Sequence, residues 1–502
     1  TCFFFDISYL HFEPALERFS QFFISPLLSE EFVNKERKNI DAEFKLKLKD
    51  DIRRLYDVHK ETINPTHPFS KFSVGNTSTL DDRPNRSLHQ EVRAFYQEHY
   101  RASSMTLVLE GPQSLEELYG FAEGLFSDIP EGVAPKPDAK VPMYLPEHQQ
   151  LFIKVKPVKN DRQLIINFAL PGIDNTYKVK PETVLSYIIG YEGPGSILSL
   201  LKQKEWGLRL TAGSGVNGFN FKDFNISISL TELGEAHVDE IVSIVLSFLA
   251  QLNKDTLKAF YYLEKKAIAE LSFHYHEKLK PLDSVCQLVI NMQHYPEEDY
   301  LHGDYAMEGI DCKEVLSLLP YFNIQNMRVI QVTDQAQFTE MSRWYAVPYL
   351  AMPFNDSQLH QWANIQHAEE LHLPPKNGFI VDNPVLLPPE LTEEAQRLIP
   401  QKLADDDGFA MWFKQDITFK VPKGYLYIGI DSPMTYATHQ HIAMTRLFAD
   451  LYSDAVVEAH YDAELAGIHY HLYAHQGGLT LQISGLSEKQ PLLLTSLLDE
   501  LQ

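Results

Sequence analysis

The chain has 502 residues, 44% of them hydrophobic, and a formal charge of -24. That length exceeds a single hydrophobic core and calls for roughly two to four domains. So large an acidic excess argues against binding a phosphate backbone, and no apolar run of about 18 residues is present to span a membrane.

In chain order, residues 2–8 read as a strand and 12–28 as an amphipathic helix. Residues 30–63 read as one long helix that ends at Asn64-Pro65, where the proline disfavours helix in the residue before it. Ile40, Phe44, Leu46, Leu48, Ile52, Leu55 and Tyr56 give it an intermittent apolar face. Glu36 and Glu43 stand seven residues apart on this helix. Seven steps of 100° fall about 20° short of two turns, so both carboxylates point the same way. Such a pair can offer a cation one oxygen ligand and one supporting acceptor, although most such pairs are a solvated face. Gly75-Asn76 has turn chemistry. His59 and His67 flank the helix end, where capping or packing accounts for them. His469, His471 and His475 lack a carboxylate or thiol at metal-ligand spacing. Cys2, Cys286 and Cys312 are isolated, without a CxxC, which argues against a thiolate zinc site or a disulfide framework.

The order of elements repeats. The strand-then-helix beginning at residue 2 recurs at 224–230 followed by 236–252, and again at 479–484 followed by 490 to the end. A helix bearing Val92, Phe95 and Tyr96 precedes a strand at 105–109. Val315, Leu318 and Leu319 precede one at 327–332. Phe5 to Met105 is 100 residues and Ile226 to Met327 is 101. Ahead of the second copy lie a strand at 163–170, a helix at 182–189, an interruption at Glu192-Gly-Pro-Gly195, a helix at 196–204 and a strand at 208–215. The third copy matches these with a strand at 425–430, a helix at 441–456 and a strand at 465–474. The period of about 220–250 residues defines α+β units of a mostly antiparallel sheet packed with helices. Proline-rich connectors at 130–146 and 373–389 place the units at 1–135, 148–370 and 395–502. On this count the first lacks its front and the third its back half.

Phe5-Asp-Ile-Ser, Glu36-x6-Glu43, Asn64-Pro-x-His-Pro-Phe-Ser-Lys-Phe-Ser-x-Gly-Asn76, Gly190-x-Glu-Gly-Pro-Gly-Ser196, Trp412-Phe-Lys-Gln-Asp416 and Asp462-Ala-Glu-Leu-Ala-Gly467 run in order from end to end. Together they resemble the pitrilysin/insulysin family of zinc peptidases. The resemblance implies a zinc metalloendopeptidase that cuts small or unfolded peptides in a chamber built from four such units. It makes Glu43 a zinc ligand and Glu36 its assisting acid. It also makes residues 210–213 (Leu210, Thr211, Ala212 and Gly213), with Gly190 and Glu192 nearby, an exosite taking a substrate's N-terminus by strand addition. The family's His-x-x-Glu-His motif, which holds the other two ligands and the general base, occurs nowhere in the chain. The expectation is therefore a segment of a longer polypeptide, inactive and zinc-free by itself. The alternative is a non-catalytic member that binds peptides or serves as a structural subunit. Peptides are the implied partners, nucleic acid is not, and a homodimer of the full-length protein is allowed. Relatives occupy periplasm, cytosol and organelles, so compartment stays open.

Overall fold

The computed structural model describes residues 1–134, 139–159, 161–172, 176–365, 368–382, 384–386 and 399–501. The Leu387-Pro-Pro part of the second connector, Pro135 and Pro137 of the first, and the expected start of the third unit at 395 lie outside these residues.

The first 134 residues are helical: α1 (Phe12–Ile24), α2 (Glu30–Leu46), α3 (Asp51–Glu61), α4 (Leu88–His99) and α5 (Leu115–Phe126). Two expectations are corrected here. The helix expected over 30–63 is two helices. Ser29 caps α2 and Asp50 caps α3 by accepting from Arg53 N, so the chain restarts after a turn at residues 47–50. The strands expected at 2–8 and 105–109 are not formed, and neither segment pairs with a strand among the described residues. β-prone sequence makes a strand only when a neighbour completes the ladder. The helix expected to reach residue 28 stops at Ile24.

The next region supplies a seven-stranded sheet. Its elements are β1 (Leu151–Val155), β2 (Gln163–Pro171), α6 (Pro181–Ile189), α7 (Ile197–Gln203), β3 (Gly207–Asn217) and β4 (Phe221–Leu230). They continue with α8 (Glu232–Glu235), α9 (Val238–Ala250), α10 (Ala259–His274), α11 (Pro281–His294), α12 (Lys313–Leu316), β5 (Met327–Val332), β6 (Glu340–Met341), β7 (Pro348–Pro353) and α13 (Asp356–Ala363). The strand order is β3-β4-β2-β5-β1-β7-β6, antiparallel throughout except for the β1–β5 pair. Alternation along β2 explains both faces. Leu164, Ile166 and Phe168 point into the main core with α6, α7 and α9. Ile165 points the other way, joining Ile153 and Ile330 against Phe44 of α2 and Val58 of α3. The first region is thus bolted to the back of the sheet.

A third region carries the hairpin β8 (Gln401–Asp406) and β9 (Phe409–Phe413), then β10 (Lys423–Asp431), α14 (His439–Val456), α15 (Tyr461–Leu465), β11 (Ile468–His475), β12 (Gly478–Leu486) and α16 (Gln490–Glu500). Its sheet is ordered β10-β12-β11, and Leu481, Ile483, Leu493 and Leu497 form a separate core. No helix among the described residues is long and apolar enough to cross a membrane.

Candidate functional site

β3 lies at one end of the sheet and, among the described residues, pairs only with β4, so that its outer row of backbone amides and carbonyls has no described strand beside it. Regular pairing runs from Arg209 to Ser214, with a bulge at either end. Along it, Leu210 is buried in the main core, Thr211 is exposed, and Ala212 and Gly213 are half-buried. Ser214 is fixed by donating its hydroxyl to Glu182 of α6 (2.7 Å), and Glu182 also pairs with Lys222 of β4.

The helix pair α6–α7 brings Gly190 and Glu192 to this edge. Gly190 ends α6, and a Cβ there would lie 3.7 Å from the Ala212 Cβ and 2.7 Å from the Ser186 carbonyl oxygen. The turn closes through Gly195, whose φ of +80° suits glycine, and Ser196 caps α7 by accepting from Ser199 N. Glu192 is half-buried. Burial pushes its carboxyl up, while Lys202 and Arg209 hold the charged form. Gly190 thus packs against Ala212 of β3, and Glu192 lies in the turn beyond it, within the electrostatic reach of Arg209. The third region reaches the same turn, which the sequence did not indicate: Tyr461 Oη donates to Gly190 O (3.3 Å) and its ring meets Tyr191 edge-on at 5.4 Å. The adjoining Asp462-to-Gly467 run was the one available signal.

Glu36 and Glu43 lie on α2, remote in sequence and in contacts from that edge. Both are exposed, and Glu36 accepts from Asn39 Nδ2 (3.0 Å). The buried carboxylate of α2 is instead Asp41, which accepts from the Thr77 amide and hydroxyl and pairs with Lys45. Among the described residues no group of three His, Cys, Asp or Glu could hold a metal. Among the described residues the side chains do not make a zinc site, and Glu43 is exposed on α2. The imidazoles have other work. His67 Nδ1 accepts from Phe69 N (3.2 Å), capping the turn as expected, and His469 pairs with Glu464 (2.5 Å).

A polar joint adds to the apolar contacts that hold α3 to the sheet. Arg328 of β5 donates to Thr62 O (3.1 Å) and Oγ1 (2.6 Å), and its guanidinium lies over the Tyr144 ring at 4.9 Å. Tyr144 Oη donates to Asp223 Oδ2 (2.6 Å) and lies 3.2 Å from His59 Nε2. Burial, with Arg328 and Lys60 nearby, pushes His59 down to about 3, so its ring is neutral. Asp57 accepts from Ser342 Oγ (2.6 Å) and from Tyr345 N (2.9 Å).

Tandem sheet-and-helix regions with an open edge strand are the architecture of M16 peptidase domains, and two family models cover most of the chain. "Peptidase M16 inactive domain" matches residues 87–267 and "Middle or third domain of peptidase_M16" matches residues 273–502. The chain belongs to this family, the insulinase/pitrilysin peptidases. It is 32% identical to insulin-degrading enzyme of Homo sapiens over 508 residues and 30% identical to nardilysin of Rattus norvegicus over 514 residues. All of the chain is covered in both cases, against 49% and 44% of the relatives. The crystal structure of pitrilysin superposes with a TM-score of 0.83 at 25% identity, covering 97% of this chain and 52% of that one. The chain spans about half the length of the relatives it matches.

Proposed function

We propose that these residues form the substrate-gripping part of a zinc metalloendopeptidase acting on small or unfolded peptides. The N-terminal residues of a peptide add as a strand beside Leu210, Thr211, Ala212 and Gly213, and Glu192 receives the terminal ammonium group. The observation that carries this reading is the edge of β3, unpaired among the described residues, with the half-buried Glu192 in the electrostatic reach of its Arg209. An added strand supplies affinity through main-chain hydrogen bonds, and one charge at its end sets direction and register.

Glu43 is the one carboxylate assigned to zinc, with Glu36 in support. Two further ligands and a base are needed, and His-x-x-Glu-His is absent from the sequence. No chemical step is assigned to this chain, which by itself neither holds zinc nor cleaves.

The test is peptide binding to the chain by calorimetry. A decapeptide with a free amino terminus should bind, and acetylation should weaken it about tenfold or more, as should Glu192→Gln. Methylating alternate backbone nitrogens of the peptide should remove binding. Equal binding of free, acetylated and N-methylated peptides overturns the exosite. Zinc content of the full-length protein, with Glu43→Gln beside it, separates the peptidase from a non-catalytic peptide-binding relative.

A further inference from the structure

Arg209 begins the even stretch of β3, directly after a bulge. Gly207 pairs with Leu230 and Arg209 with Ser229, which leaves Leu208 unpaired in the register, and the Leu208 and Arg209 side chains are both exposed. Residues opposite each other in a ladder share a face of the sheet. Leu210 and its partner Ile228 lie in the main core. One step to either side, Arg209 with Ser229 and Thr211 with Ser227 therefore lie on the other face. The Arg209 row continues from Ser229 to Gln163 of β2. Both are neutral, so neither strand brings a carboxylate to the guanidinium in its own row. On the outer side the row is open among the described residues. Arg209 also acts on Glu192, whose carboxyl is pushed up by burial while Lys202 and Arg209 oppose that rise.

We propose that Arg209 is a specificity-determining residue that selects one acidic side chain near the amino terminus of the bound peptide, a reading that rests on strand addition along β3. The residue of the added strand opposite Arg209 projects onto the same face, with its Cβ about 4.5–5.5 Å away. An Asp or Glu there meets a planar guanidinium whose fork matches both carboxylate oxygens. Glu192 receives the ammonium group, and the reach of Arg209 to Glu192 puts the selected position close to that end. The chain as a whole works the other way. Its net charge of -24 repels acidic peptides at long range. An acidic residue is therefore favoured at this position and disfavoured at its neighbours. Register makes the choice sharp, because a shift by one residue turns the side chain to the Leu210 face. Thr211, the next residue on the Arg209 face, is uncharged.

The experiment is calorimetric binding of free-amino decapeptides to the purified chain. A neutral host sequence carries one Glu, walked through its first six positions, with Gln at the same place as reference. The expected result is a single position at which Glu binds about two- to fivefold tighter than Gln, with no gain on either side of it. In Arg209→Gln the Glu and Gln peptides should bind alike at that position, and in Arg209→Glu the preference there should pass to Lys. Thermal unfolding of each variant confirms that it is folded. Acetylating the best peptide, on the unsubstituted chain, tests the exosite separately. A Glu preference that survives in Arg209→Gln overturns the role of Arg209 and leaves the exosite standing. So does the lack of any preferred position in a chain that still discriminates against acetylation. Indifference to acetylation overturns the exosite and this inference with it.

Discussion

Residues 2–8 and β2 have the same kind of sequence and opposite fates. Phe3-Phe-Phe-Asp-Ile alternates poorly but is as β-prone as Leu164-Ile-Ile-Asn-Phe. β2 lies between β4 and β5, and Leu164, Ile166 and Phe168 are 0% exposed. The 2–8 segment has no partner strand among the described residues, and Phe3 and Phe4 remain 47% and 56% exposed. Side-chain preference is a property of a residue, whereas a strand is a property of its neighbours. The same contrast runs within each of two helices: Leu46 of α2 and Ile52 of α3 sit 80% and 81% exposed, while Phe44 of α2 and Val58 of α3 are buried against the sheet.

The contrast is broken if the two phenylalanine sites respond alike. Phe168→Ala should cost about 3–5 kcal/mol, cavity included, and Phe4→Ala within about 0.5 kcal/mol, measured by urea unfolding. Asp57→Ala asks whether the back of the sheet is a true joint. It strands the Ser342 hydroxyl and the Tyr345 amide and should cost about 2–4 kcal/mol by the same measurement.

His59 sharpens this through pH. Its folded pKa, about 3, is below the unfolded value near 6.5, so the unfolded chain binds the extra proton. The stability it contributes is present above about 6.5 and is lost as pH falls from there toward 3, at up to about 1.4 kcal/mol per pH unit. His59→Gln should flatten that slope in urea titrations between pH 6.5 and 4.5. An unchanged slope would mean that the ring is not held neutral by the joint. The smallest effect belongs to the carboxylates of α2. Glu43→Gln and Glu36→Gln should each change stability by less than about 0.5 kcal/mol, since both side chains are exposed. A larger change in thermal unfolding would show that α2 uses them structurally.

Legibility from sequence follows completeness of the local environment. The elements at 163–170, 182–189, 196–204, 208–215 and 327–332 match β2, α6, α7, β3 and β5 within a few residues. Each has apolar periodicity that its surroundings satisfy. The restart at Asp50 was missed because Leu48, Ile52 and Leu55 keep helical spacing across it, although an Asp directly before a helical run is a cap signal. β1, β6 and β7 passed unnoticed as short runs among prolines and aromatics. At the candidate site, the turn at Glu192 and the strand of residues 210–213 were legible as elements, while their grouping as a site came from the family resemblance. Tyr461 was not, since its contact with Gly190 spans 271 residues. Nor was the joint of Arg328, Tyr144, Asp223 and His59, whose members come from separate elements and share no spacing.

The two irregularities that bound the even stretch of β3 set a measure. Only Arg209 to Ser214 present a straight rail of main-chain groups, six residues long. A rail so short favours a brief, frayed end of another chain over a long extended one. It also discourages identical molecules from stacking edge to edge into fibres, because the distortion at either limit throws a second copy out of step.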